Sequence, residues 1–290
     1  MIETRSVPTG RRASLKLRIR LSVPSFSVAI VLFFVAAGIC DDRFTIQDVP
    51  FTASCDGSTQ HYVLMKPPAF NAEANCDLLI AFHGHGSDRW QYAKNPRDEC
   101  RVARDVALKH GMLFVSPDYR AKTSWMGPKA EADVLQIIGE MKKKYRIGRV
   151  FLCGGSMGGT SCLSFAAMHP ELVDGVASMN GTANLLQYDN FQPAIQESYG
   201  GTKAEIPEEY KRRSAEYWPE RLTMPIGFTL GGQDRSVPPD SVRRLAAVLK
   251  TLGRDVLVID RDETGHSTNY ADGEAVLEFV IGKARQAIRH

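Results

Sequence analysis

The stretch Arg149-Val150-Phe151-Leu152-Cys153-Gly154-Gly155-Ser156-Met157-Gly158-Gly159 sets one serine among glycines, with an apolar run before it and a helix-forming run, Thr160 to Met168, after it. A buried strand that turns sharply into a helix forces the residue at the turn into strained backbone geometry, and only small neighbours fit around it. The Ser156 hydroxyl is thereby lifted clear of the sheet edge, where the amino end of the following helix favours developing negative charge. The pattern predicts a nucleophile. Without the flanking strand and helix, the same residues would describe an ordinary turn.

A serine hydroxyl is a poor nucleophile until a base takes its proton and a third group orients that base. Both follow in the chain. Met224 to Asp234 reads as a strand ending in a Gly231-Gly232-Gln233 turn with Asp234 at its tip, 78 residues after Ser156. A further apolar strand, Val256 to Ile259, leads into Asp262-Glu263-Thr264-Gly265-His266-Ser267, which places His266 32 residues beyond Asp234. Asp262 is the alternative orienting acid, and Asp240 is expected to cap the helix that follows it. His61 and His110 precede the serine, His169 stands before Pro170 at the end of the elbow helix, and His290 is terminal.

Acyl transfer also needs donors for an oxyanion. Leu78 to Phe82 reads as a strand ending in His83-Gly84-His85-Gly86, so the backbone amide of His85, or that of Gly84, is expected to join that of Met157. His83-x-His85 would suit two metal ligands, but no third lies nearby and neither C-x-x-C nor H-E-x-x-H occurs; no metal or other cofactor is expected. Trp125, in Thr123-Ser124-Trp125-Met126-Gly127-Pro128, is expected to wall the substrate pocket, with a buried structural role as the alternative.

These residues need a frame. Strand-like runs near 61–66, 78–83, 112–116, 149–154, 173–179, 225–231 and 255–260 alternate with helical periodicity near 98–109, 129–145, 157–168, 240–251 and 273–287. Such alternation predicts the α/β class, a mostly parallel central sheet with helices on both faces. One irregular stretch, residues 182–222, is polar but carries Tyr188, Phe191, Tyr199, Tyr210, Tyr217 and Trp218. It is expected to form a small helical insertion over the active edge of the sheet.

The chain has 290 residues, 43% hydrophobic and 24% charged, an ordinary globular composition. Residues 1–38 differ: six basic residues from Arg5 to Arg20 face the single Glu3, and an apolar run follows from Val28 to Ile39 with small residues at Ala36-Ala37. This reads as an export signal, with a membrane anchor as the lesser alternative because the run is short for a span. Residues 39–290 then suit one large α/β domain. The leader holds +5 of a chain whose net charge is +3, so the remainder sits near −2 and nothing points to nucleic acid. In an oxidising compartment at least one disulfide is expected among Cys55, Cys76, Cys100, Cys153 and Cys162, with Cys55–Cys100 as the pairing proposed. Nothing in the sequence speaks to oligomeric state.

Taken together, His83-Gly84, Gly154-Gly155-Ser156-Met157-Gly158-Gly159, Asp234 before Val237-Pro238-Pro239, and Gly265-His266 resemble an α/β-hydrolase. The pattern is most similar to the catalytic domains of the prolyl-oligopeptidase family and to secreted esterases of the feruloyl and acetylxylan type. Those peptidases carry a large N-terminal propeller, for which this chain has no room. The resemblance implies an exported serine hydrolase forming an acyl-enzyme on Ser156. The expected substrate is a small-molecule or polysaccharide-linked carboxylic ester. A peptide amide is the second reading, and a non-catalytic binding protein on the same fold the third. N-terminal sequencing of exported material is expected to begin shortly after Ala37; intact Met1 in a membrane fraction would indicate the anchor instead.

Overall fold

Five segments, β3 (Cys76–Phe82), β4 (Leu113–Pro117), β5 (Ile147–Gly155), β6 (Gly175–Met179) and β7 (Ile226–Gly231), run with almost no polar interruption, and nearly all of their residues are buried. Strands of that kind belong in the middle of a parallel sheet covered on both sides. In the computed structural model, which describes residues 43–287, they lie in an eight-stranded sheet. β1 (Thr45–Thr52), β2 (Thr59–Lys66) and β8 (Val256–Arg261) complete it in the order β1-β2-β4-β3-β5-β6-β7-β8. β1 and β2 are antiparallel to their neighbours, and the six strands from β4 to β8 are parallel. The fold is that of an α/β-hydrolase. The expected leader, residues 1–38, and its expected cleavage site lie outside the described residues.

The helices divide the core in two. α2 (Asp98–Lys109) and α8 (Tyr270–Gln286) bury Val102, Val106, Val276 and Val280 against one face of the sheet. α3 (Pro128–Lys144), α4 (Met157–Met168) and α7 (Asp240–Thr251) bury Val134, Ile138, Leu163, Leu245 and Leu249 against the other. This division overturns the expected Cys55–Cys100 disulfide. Cys55 sits in the β1–β2 turn beside Arg120, on the α3 side, whereas Cys100 is buried under α2 across the sheet; both thiols are free. β1, absent from the sequence expectation, is an edge strand carrying Asp48 and Pro50, so it shows little of the alternation that marks a strand. Asp240 is the first residue of α7 rather than its cap, a position at which a carboxylate still complements the helix dipole.

The long connection between β6 and β7 carries α5 (Gln192–Tyr199), α6 (Pro207–Arg212) and two short 3-10 turns, and it buries Leu185, Ile195, Tyr199 and Tyr210 against the α4 side of the core. A buried charge cluster ties it down. Arg213, wholly buried, gives hydrogen bonds to Glu131 Oε2 (2.7 Å), Glu209 Oε1 (2.7 Å) and the Met126 carbonyl. Glu131 also accepts from Arg212 (2.6 Å) and faces His169 Nε2 at 2.8 Å. Burial opposes ionisation of Glu131, but His169, Arg212 and Arg213 outweigh it and hold the carboxyl well below its usual range. Removing one partner of such a cluster strands the other charge in the core. Glu131→Gln is therefore expected to cost about 3–5 kcal/mol in denaturant unfolding at neutral pH. Because the native carboxyl is depressed, its contribution is fully present above the ordinary value of 4.5 and is lost as the pH falls below it, so the two proteins should converge in acid.

Candidate active site

β5 ends at Gly155 and α4 begins at Met157, so the whole turn falls on Ser156, whose backbone sits at φ 59°, ψ −123°. For a residue with a side chain this conformation costs on the order of 1–3 kcal/mol and persists only where the surroundings over-determine it. They do so here through the Ser156 amide, which donates to the Met179 carbonyl on β6 (2.8 Å), and through the packing of α4 onto β3. A Cβ at Gly158 would lie 2.0 Å from the Phe82 carbonyl oxygen, so α4 can press this close only with glycine there. As the first residue of α4, Met157 has no carbonyl partner for its amide within the helix, and that N–H is available for an anion.

Asp234 lies three residues beyond β7 and is buried. Its Oδ1 accepts from the Ser236 and Val237 amides (2.9 Å each), and its Oδ2 meets His266 Nδ1 at 2.6 Å. The loop carrying His266 is laced to the turn carrying Asp234: Gln233 donates its amide to the Thr264 carbonyl (2.9 Å), and Gly232 to that of Arg261 (2.8 Å). Gly231 permits the approach, since a Cβ there would be 2.0 Å from the Gly265 carbonyl oxygen. Thr268 is fixed by Thr229 (2.6 Å) and by Asn180 at the end of β6. An aspartate that holds Nδ1 leaves Nε2 of the imidazole free to accept a proton.

Ser156 and His266 line one cavity of about 730 Å³, together with His85, Phe191, Asn180 and Ser236. It is lined as well by Gln91, Asn95, Arg97, Asp98 and Glu99, from α1 (Trp90–Lys94) and the start of α2. Of the two amides proposed in the His83–Gly86 turn, that of Gly84 is spent on Gln91 Oε1 (2.8 Å). The Gly86 amide goes to the Lys122 carbonyl (2.8 Å), whereas that of His85 meets no acceptor among the described residues. His83 is buried with its ring nitrogens against the carbonyls of Gly84 (2.9 Å) and Asp118 (3.2 Å), a structural placement rather than that of a metal ligand.

Of the two places open to Trp125, the pocket wall and a buried structural position, it takes the second: it is wholly buried and packs behind His85 and Phe191, with ring centroids 5.9 and 5.6 Å away. Asp262 is exposed and makes no hydrogen bond to His266. The polar wall from Gln91 to Glu99 escaped sequence reading because it belongs to no spaced motif. Asn180 had a signal, its place directly after a parallel strand, where ligand-facing residues of such sheets collect.

Residues 119–280, more than half of the chain, match the prolyl oligopeptidase family. No curated protein matches the sequence. Among solved structures, acylaminoacyl peptidase of Pyrococcus horikoshii superposes with a TM-score of 0.66 at 16% identity, covering 86% of this chain and 43% of its own. Fluorophosphonate-binding serine hydrolase F of Staphylococcus aureus gives 0.64 at 14% identity, covering 84% of this chain and 99% of its own. A thermostable esterase gives 0.58 at 19%, covering 83% and 61%. This chain thus spans less than half the length of the acylaminoacyl peptidase.

The pairing of Asp234 with His266 generates a direct prediction. Asp234→Asn should leave the fold intact and lower turnover by roughly 10⁴, because the amide favours the wrong imidazole tautomer. Asp262→Asn should stay within two-fold of wild type, as measured by kcat on an activated ester.

Proposed function

The chain belongs to the prolyl oligopeptidase family and is a serine hydrolase, and from that premise we propose that it cleaves carboxylic esters through an acyl-enzyme on Ser156. One observation carries the site assignment. Ser156, held on a strained turn, shares a cavity with His266, whose Nδ1 is gripped by buried Asp234. In this reading His266 Nε2 takes the Ser156 proton as Oγ attacks the acyl carbon. The oxyanion is received by the amides of Met157 and His85, each worth roughly 2.7–4 kcal/mol in the transition state. The alcohol leaves with the proton from His266, and water, activated by the same imidazole, releases the acid.

The choice of ester over peptide rests on the walls of the cavity. Amide cleavage requires a substrate held so that protonation of the departing amine is aligned, whereas an alkoxide or phenolate leaves more readily. Helices and loops line the cavity, and its volume suits a small molecule. Family membership favours the peptidase as the second reading. Export rests on the leader sequence, and no helix among the described residues is long and apolar enough to cross a membrane.

Labelling with a fluorophosphonate should modify Ser156, and Ser156→Ala should abolish it; an unlabelled wild type would support the non-catalytic alternative. Nitrophenyl esters of graded chain length, compared with aminoacyl nitroanilides including proline at the cleaved position, decide between the first two readings. Esters should lead in kcat/KM, and preference for the proline anilide over every ester would promote the peptidase.

A further inference from the structure

The loop from β4 to α3 is the most distorted backbone in the described residues. Tyr119, Arg120, Trp125 and Met126 all have positive φ (30°, 87°, 43° and 55°). Bulky residues rarely adopt this region, and such outliers mark a place where the fold imposes a geometry for a purpose. Several bonds impose it here. Tyr119 Oη donates to the His83 carbonyl (2.6 Å), the Trp125 amide to Met157 Sδ (3.4 Å), and Tyr199 Oη to the Trp125 carbonyl (2.9 Å), while Arg213 grips the Met126 carbonyl. Two of these clamps come from the insertion between β6 and β7. The outcome is an indole buried completely and aimed at one atom: Trp125 Nε1 lies 3.1 Å from His85 Nδ1.

An indole N–H can only donate, so Nδ1 of His85 must present its lone pair, and the single proton of the neutral imidazole then sits on Nε2. Burial away from water lowers the pKa of His85 and favours the neutral ring. Its Nε2 has no protein partner among the described residues, and the ring lines the cavity that holds Ser156 and His266, tilted at 46° against Phe191 with centroids 4.5 Å apart. The half-buried ring thus carries an N–H of fixed direction at the cavity, available to an acceptor that enters it.

We propose that Trp125 is a positioning residue that locks His85 as its Nε2–H tautomer, and that this N–H donates to an oxygen of the bound substrate. The second half rests on the reading of the cavity as a substrate site. The group recognised is an oxygen acceptor on a portion of the substrate lying against Phe191, and the role of the His85 side chain is separate from that of its backbone amide.

The test has two independent arms. Long-range nitrogen–proton NMR on the full-length protein at neutral pH should find His85 protonated on Nε2 alone, and Trp125→Phe should give a mixture of tautomers. In kinetics on the best nitrophenyl ester, His85→Phe, which keeps a ring but no donor, should lose about ten-fold in kcat/KM. His85→Gln, whose amide nitrogen reaches the position of Nε2, should recover most of that loss. A wild-type proton on Nδ1, or equal activity in the Phe and Gln variants, overturns the proposal. Should Trp125→Phe fail to fold, the wild-type spectrum and the two His85 variants still decide it. If wild type neither labels with fluorophosphonate nor turns over esters, the proposed function fails and donation to substrate fails with it, while the NMR arm separately judges the role of Trp125.

Discussion

The conformation of Ser156 is the constraint on which the rest of the molecule depends. A residue with a side chain at φ 59°, ψ −123° relaxes unless both elements it joins are immobile. β5 is immobile because it lies in the middle of the sheet, paired to β3 and β6. α4 is immobile because it is buried from Met157 to Ala167, pressed onto β3 on one side and covered by the insertion on the other. The insertion is therefore part of what holds the turn, and its attachment through Arg213 and Glu131 belongs to the same mechanical unit.

A second strained region stands beside the first and shares its supports. The loop carrying Trp125 touches α4 through Met157, whose amide is proposed to receive the oxyanion and whose sulfur accepts from the Trp125 amide. Arg213 closes the circuit, reaching Met126 on that loop and Glu131 on α3 with one guanidinium. Distortion in a functional region is thus balanced by packing and buried charge around it, the usual distribution of strain in a folded chain. Placing both distorted segments against one helix makes their geometries interdependent, which a surface loop would not achieve.

The cavity lining is of two kinds: the rings of His85 and Phe191, with Trp125 packed behind them, and the polar run from Gln91 to Glu99. Glu99 packs its Cγ 3.7 Å from the position a Cβ would take at Gly155, directly before Ser156, and pairs with Arg97 at 3.9 Å.

Much of this was determined by sequence alone, because the relevant physics is local. The glycines around Ser156, the apolar runs that form the parallel strands, and the placing of Asp234 and His266 after two of those strands need no long-range knowledge to read. β1 escaped because an edge strand is not required to be apolar, and α1 because five residues carry too little periodicity; α5 and α6 were expected only together, as a helical insertion without bounds. Tertiary structure decided the rest. It put Cys55 and Cys100 on opposite faces of the sheet, a relation that spacing along a chain does not encode. Of the two places open to Trp125 it chose the buried one, since the backbone of its loop turns through positive φ where the residue types give no sign of it. It also brought Gln91, Asn95 and Glu99 to the cavity that holds Ser156, from a helical segment with no motif of its own. A residue's type reports the chemistry it is capable of, but which groups meet is fixed by the packing of elements distant in sequence, and here by a backbone held where its own preferences would not take it.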